Sequence, residues 1–221
     1  MLQPSTLRFL KGLKKNNNKP WFDAHRDDYE NARKDFENFI QAVIDGHGKK
    51  DSDIKNLTAK KCLFRINRDV RFAKDKSPYK KNFAASMDKG GKKSGLAGYY
   101  FHLEPGNSFI GAGIWQPEPT SMKNIRQEID YNAEEFRKIV SSAKFKKVFG
   151  GLYTGEDVQL KKVPQGFEKD NPAAEYLKFK SWMILHELTD EELLSKSLLK
   201  KTLDAFAMAQ PFVKFINRPL I

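Results

Sequence analysis

The order of hydrophobic periods along this 221-residue chain points to an α+β domain, a mainly antiparallel sheet of hairpin-linked strands flanked by N- and C-terminal helices. Apolar residues recur at helical spacing near the N-terminus and again after Pro119, whereas the segment between them alternates in the manner of strands. No internal repeat and no long polar linker divides the sequence, so residues 1–221 are read as a single domain. Seventeen Phe and three Trp supply enough bulky material for a real core, so the mean hydropathy of -0.66 reflects a wet surface rather than disorder.

The first helix is expected to be capped by Ser5 or Thr6, with Leu7, Leu10 and Leu13 on one face and a stop at Asn16, Asn17 and Asn18. Pro20 suits the first turn of a longer second helix, in which Phe22, Tyr29, Phe36, Phe39, Ile40 and Val43 recur up to Gly46-His47-Gly48. Cys62 to Ile66 reads as a strand, with Phe64 and Ile66 on one face and Arg65 on the other. Asn67 to Tyr79 is polar and basic and reads as a loop; Asn82 to Met87 is a second strand, closed by the turn Lys89 to Lys93. Leu96 to Leu103 and Ser108 to Trp115 flank Glu104-Pro105-Gly106-Asn107 and form the best hairpin in the chain.

After Pro117 the pattern turns helical at Ser121–Ile129 and Ala133–Val140, with a short piece ending near Phe149. Val158 to Val163 is a further strand candidate, Pro172 to Phe179 a helical one, and Trp182 to Leu188 a strand. Thr189 and Glu192 have the spacing of a capping box, and Leu198 to Phe215 forms the last amphipathic helix.

Charge is distributed unevenly. The chain carries a net +12, and the stretch from Lys49 to Lys93 holds 15 Lys or Arg against 5 Asp or Glu. A segregated positive field attracts and steers anions, although a solvated lysine surface that aids solubility reads the same way. The single cysteine, Cys62, excludes an intramolecular disulfide and is expected in the core. The first twenty residues lack the apolar stretch of a secretion signal, and no run approaches the roughly 18 apolar residues of a membrane span, so a cytoplasmic protein with no membrane partner is expected.

The chemistry concentrates between Phe64 and Lys81. Arg65, Arg68 and Arg71 leave the end of the expected strand, and Lys76, Tyr79 and Lys80 return towards the next one. A planar guanidinium grips carboxylate or phosphate at two points, so this set is the candidate anion site, with Asp69 and Asp75 orienting the arginines. Tyr79, Tyr100 and Trp115 would add a stacking or hydrogen-bonding wall. The plainer alternatives are arginines paired within the fold, lysines that are merely solvated, and aromatics that belong to the core.

The stretch Phe64-Arg-Ile-Asn-Arg-Asp-Val-Arg-Phe-Ala-Lys-Asp-Lys-Ser-Pro-Tyr-Lys80 resembles the central signature of the family called domain of unknown function 2461, found in bacteria and fungi. Other marks agree with it: Lys19-Pro20-Trp21-Phe22 with His25 and Tyr29, Tyr99 to His102, Gly111 to Trp115 with Pro117, and Leu160 to Phe167. The resemblance covers nearly the whole chain and implies a single domain, but it brings no activity with it.

Other motifs are thinner. The histidines, at 25, 47, 102 and 186, have no metal-ligand spacing, so neither a metal nor a cofactor is expected. His102 shares a strand face with Tyr100 and Glu104, which makes His102 and Glu104 a candidate acid–base pair, with a structural pairing as the plainer reading. Gly111-Ala-Gly-Ile-Trp115 lacks the lysine and the strand-to-helix setting of a phosphate loop. Three functions follow in order: a protein that binds a small anionic ligand, an enzyme acting on a phosphorylated small molecule through the His/Glu pair, and a nucleic-acid binder suggested by the isoelectric point of about 9.6. Oligomeric state is not encoded in any pattern seen here.

Overall fold

The computed structural model describes residues 1–155, 158–168 and 170–221. Helix α1 spans Pro4–Lys15, and its proline takes the first turn, where a missing N–H costs nothing. Its start needs no Ser or Thr cap: Thr6 instead donates its hydroxyl to Asp35, 2.6 Å away. The expected second helix is broken in two, α2 (Lys19–Ala24) and α3 (Arg26–His47). The break falls at His25, whose ring stacks on Trp21 at 4.0 Å with Nδ1 2.8 Å from the Trp21 carbonyl. A side chain folded back on the preceding turn holds the backbone out of helical geometry there.

Helix α4 (Ala59–Cys62) occupies the start of the segment read as a strand. Beyond it the chain is extended but makes only single bridges, Leu63 to Ala85 and Asn67 to Tyr79. Pro78 sits on the returning arm; it accepts from Arg68 N–H but has none to donate, so the ladder stops. The expected faces are also corrected, since Ile66 is buried while Phe64 and Arg65 are both exposed.

The sheet follows: β1 (Phe83–Asp88), β2 (Gly98–Leu103) and β3 (Ser108–Ile114), then α5 (Pro119–Tyr131), α6 (Ala133–Ser141), α7 (Ala143–Phe149) and α8 (Ala174–Leu177), then β4 (Trp182–Leu188), α9 (Asp190–Leu194) and α10 (Leu198–Asn217). A 3-10 turn at Arg218–Leu220 completes the order. The strands lie in the order β1-β2-β3-β4, all antiparallel, which bears out the α+β expectation and the hairpin at Glu104–Asn107. The capping box at Thr189 and Glu192 is formed on both sides. Two expected elements shrink. Val158 to Val163 makes one bridge, Gln159 to Phe179, because its partner is only the short link between α8 and β4. The helix expected over Pro172–Phe179 is the single turn α8.

The register sorts the sheet into two faces. Phe83, Ala85, Met87, Tyr99, Phe101, Leu103, Ile110, Ala112 and Ile184 are all buried on one face. Phe36 and Phe39 of α3 meet Phe101 there, and Phe206 of α10 lies 4.7 Å from Tyr99. A fully buried ring such as Phe101 contributes about 1.5–3 kcal/mol, so this face anchors the fold. Cys62 is part of the same core, and burial pushes its thiol up to about 11, which makes it a packing residue rather than a nucleophile. No described helix is long and apolar enough to cross a membrane.

Candidate ligand groove on the second face of the sheet

Strand periodicity puts Ser86, Asp88, Gly98, Tyr100, Phe109, Gly113, Met183 and Leu185 on the other face. These residues line a groove of 1250 Å³, the largest described cavity and ample for a small organic molecule. Glycine makes the room. Gly98 and Gly113 leave the floor without side chains, and a Cβ on Gly98 would lie 2.0 Å from the Asp88 carboxylate. Trp115, more than half exposed, and the partly exposed Phe64 and Tyr153 stand at the margin. An exposed indole and two exposed rings around one hollow are an unusual use of apolar surface on a described chain with so full a core.

Cations gather beside Phe64. The Lys80 and Lys92 ammonium groups lie 5.3 and 5.6 Å from its ring centroid. Burial, followed by the charges of Arg65 and Lys92, lowers the Lys80 pKa, so the three cations share one electrostatic neighbourhood. Lys92 donates to the Leu63 carbonyl, and none of the three has a carboxylate in ion-pair range among the described residues.

Three other basic residues of the loop are committed locally. Arg68 donates to Asp75 at 2.7 Å and to the Ser77 carbonyl at 3.0 Å. Arg71 pairs with Asp69 at 2.7 Å, and Lys76 donates to the Val70 carbonyl at 3.0 Å. The expected role of Asp69 and Asp75 as arginine partners therefore holds, and those bonds shape the loop. Tyr79 is buried against Phe22, with ring centroids 4.0 Å apart, and its backbone is tied to the Asn17 side chain. Of the sequence-derived set, Tyr100 and Trp115 line the groove, whereas Arg65, Arg68, Arg71, Lys76, Tyr79 and Lys80 do not; Lys80 reaches its margin through the Phe64 ring, and Arg65 is near enough for its charge to act on Lys80.

His102 and Glu104 extend the same face. The Tyr100 hydroxyl lies 3.4 Å from His102 Nδ1, and His102 Nε2 lies 3.4 Å from Glu104. His102 also stacks on Phe109, with ring centroids 4.7 Å apart. Burial lowers the His102 pKa against the opposing pull of Glu104, which favours a neutral ring that accepts from Tyr100 and donates to the carboxylate.

Sequence reasoning passed over Ser86, Asp88 and Lys92. Their signal was present, because Ser86 and Asp88 alternate with Ala85 and Met87 on a strand, but the strand was ended at Met87. Asp88 is buried, and burial raises its carboxyl to about 6; its hydrogen-bond partner is the Ser86 hydroxyl at 2.7 Å.

Taken together, the fold and groove define a class: an α+β protein with a four-stranded antiparallel sheet, helices on both of its sides, and a small-molecule-sized hollow on one face. The chain belongs to DUF2461, a family described as a conserved hypothetical protein, whose profile matches residues 5–215. Searches of curated proteins and of solved structures find no match to it.

Proposed function

We propose that this chain binds a small organic anion with a planar body in the groove, its phosphate or carboxylate held by Lys80, Lys92 and Arg65. The carrying observation is the convergence of Lys80 and Lys92 on the Phe64 ring, with Arg65 alongside and, among the described residues, no carboxylate within ion-pair range of any of them. Like charges held together cost stability, and a bound anion relieves that cost. Tyr100, Trp115 and Phe64 supply the stacking surface for the ligand body. The arginines deeper in the loop hold its shape rather than the ligand.

A melting-temperature screen with aryl carboxylates, aryl phosphates and short oligonucleotides, at low and moderate salt, tests this reading. Stabilisation by a small aryl anion is expected to survive added salt and to vanish in Lys80→Ala/Lys92→Ala and in Tyr100→Ala. Stabilisation by oligonucleotides alone, lost steeply as salt rises, overturns it in favour of a nucleic-acid binder.

Catalysis on a phosphorylated ligand is a second reading, supported by the Tyr100–His102–Glu104 chain on the same face. It requires hydrolysis of an aryl phosphate by the intact chain and loss of that turnover in His102→Ala with binding retained.

A further inference from the structure

The anion subsite accounts for one end of the groove and leaves Asp88 unexplained. This carboxyl group is more than nine-tenths buried, lines the groove, and has no cation in ion-pair range among the described residues. Ser86 on the same strand donates one hydrogen bond, Gly98 on β2 presents only backbone, and Cys62 from α4 is an uncharged thiol close enough for the Asp88 charge to raise its pKa. Lys92, from the turn that follows β1, also lines the groove, but its ammonium is turned to the Leu63 carbonyl. Lys89, the next residue in the chain, pairs instead with Asp53 at 3.4 Å.

A buried carboxylate satisfied by a single hydroxyl is costly unless a positive group arrives to pair with it. Gly98 shows that the site is built to hold it, because any side chain there would collide with the carboxylate and its backbone at 2.0 to 2.8 Å. The groove therefore offers two unlike ends: cations without an anion beside Phe64, and an anion without a cation over Gly98. We propose that Asp88 is an amine-recognition residue, and that the ligand is a zwitterion: a planar body bearing both an acid group and a protonated amine, as in an aromatic amino acid or an aminoalkyl aryl phosphate. This rests on the anion-binding reading for the other end of the ligand and adds the amine as the specificity determinant. The raised Asp88 pKa is consistent with it, since an arriving ammonium favours the ionised carboxylate and is bound less well once that group is protonated.

Matched probes separate the two ends. Isothermal titration of the full chain at pH 7 would compare tryptophan, indole-3-propionate, which lacks the amine, and tryptamine, which lacks the acid, alongside O-phosphotyramine and phenyl phosphate. A charge-assisted hydrogen bond corresponds to a factor of about ten or more, so each zwitterion should bind at least about tenfold more tightly than its deaminated partner. Asp88→Asn, which keeps the Ser86 contact and removes the charge, should erase that preference and bind indole-3-propionate and phenyl phosphate no more weakly than the native chain does. Lowering the pH from 7 to 5 should weaken tryptophan binding by about tenfold in the native chain and leave its binding to Asp88→Asn unaffected, the aryl phosphates being left out of this comparison because their own second ionisation, at about 6, falls in the same window. Equal affinity for both members of each pair overturns the amine subsite while leaving the anion reading intact. Binding of tryptamine without either anion overturns the anion reading and keeps Asp88, and silence from every probe overturns both.

Discussion

Two buried titratable groups, His47 and Asp88, are shifted in opposite senses, and their effects on stability are separable. The His47 imidazole is buried edge-on to Tyr99 and Phe206, and neither ring nitrogen has a hydrogen-bond partner among the described residues. Burial lowers its pKa from 6.5 to about 4. Between those values the unfolded chain holds a proton that the folded chain does not, so stability falls as pH drops from 6.5 towards 4. Asp88 behaves in reverse: burial raises its pKa from 3.8 to about 6, the folded chain holds the extra proton, and stability falls as pH rises from 3.8 to 6. Each slope is about 1.4 kcal/mol per pH unit, so across the shared window, from about 4 to 6, each amounts to about 3 kcal/mol. In the native chain the two oppose one another and largely conceal each other.

Urea denaturation of the native chain, His47→Phe and Asp88→Asn at pH 4, 5 and 6 separates them. Phenylalanine suits the aromatic pocket and removes both orphaned nitrogens. Relative to the native chain, His47→Phe should gain about 3 kcal/mol as pH falls from 6 to 4, and Asp88→Asn should lose about as much. On a chain of this size each change corresponds to a melting shift of about 5–10 °C. Surface carboxylates such as Asp69 and Asp23 titrate alike in all three proteins and cancel in the differences. Difference curves that stay flat with pH would refute the assignment of either group as buried and shifted.

Other substitutions probe the frame around the groove. Gly98→Ala should destabilise by about 1–3 kcal/mol in thermal melts, because its Cβ meets both the carboxylate and the backbone of Asp88. Asn217→Leu should lose about 2–4 kcal/mol by the same assay, since its buried amide donates to the Ala97 carbonyl at 2.9 Å and accepts from the Ala97 N–H at 2.8 Å. Arg68→Ala should speed amide exchange across residues 67–80 by freeing Asp75 and the Ser77 carbonyl, with a global change below about 1 kcal/mol. Arg71→Ala, whose exposed pair with Asp69 is local, should leave both exchange and melting nearly unchanged.

Much of the framework was determined by local sequence. Periodicity set the hairpin of β2 and β3, the β4 strand and the helices α1, α5, α6 and α10, because an amphipathic face is written into residues close together in the chain. The capping box at Thr189 and the pairing of Arg68 and Arg71 with nearby acids were readable for the same reason, each spanning a few residues. Where a neighbour distant in sequence decides the outcome, local pattern failed. Cys62–Ile66 has the composition of a strand, but the position of Pro78 on its partner limits it to isolated bridges. The groove belongs to this second kind. Residues from β1, β2, β3 and β4 meet on one face only after the strands pair, and Asp88 becomes a buried carboxylate only because Gly98, ten residues away, leaves the space beneath it. Sequence alone can state which charges the chain carries, but burial and distance determine which of them remain without a partner, and both are set by tertiary packing.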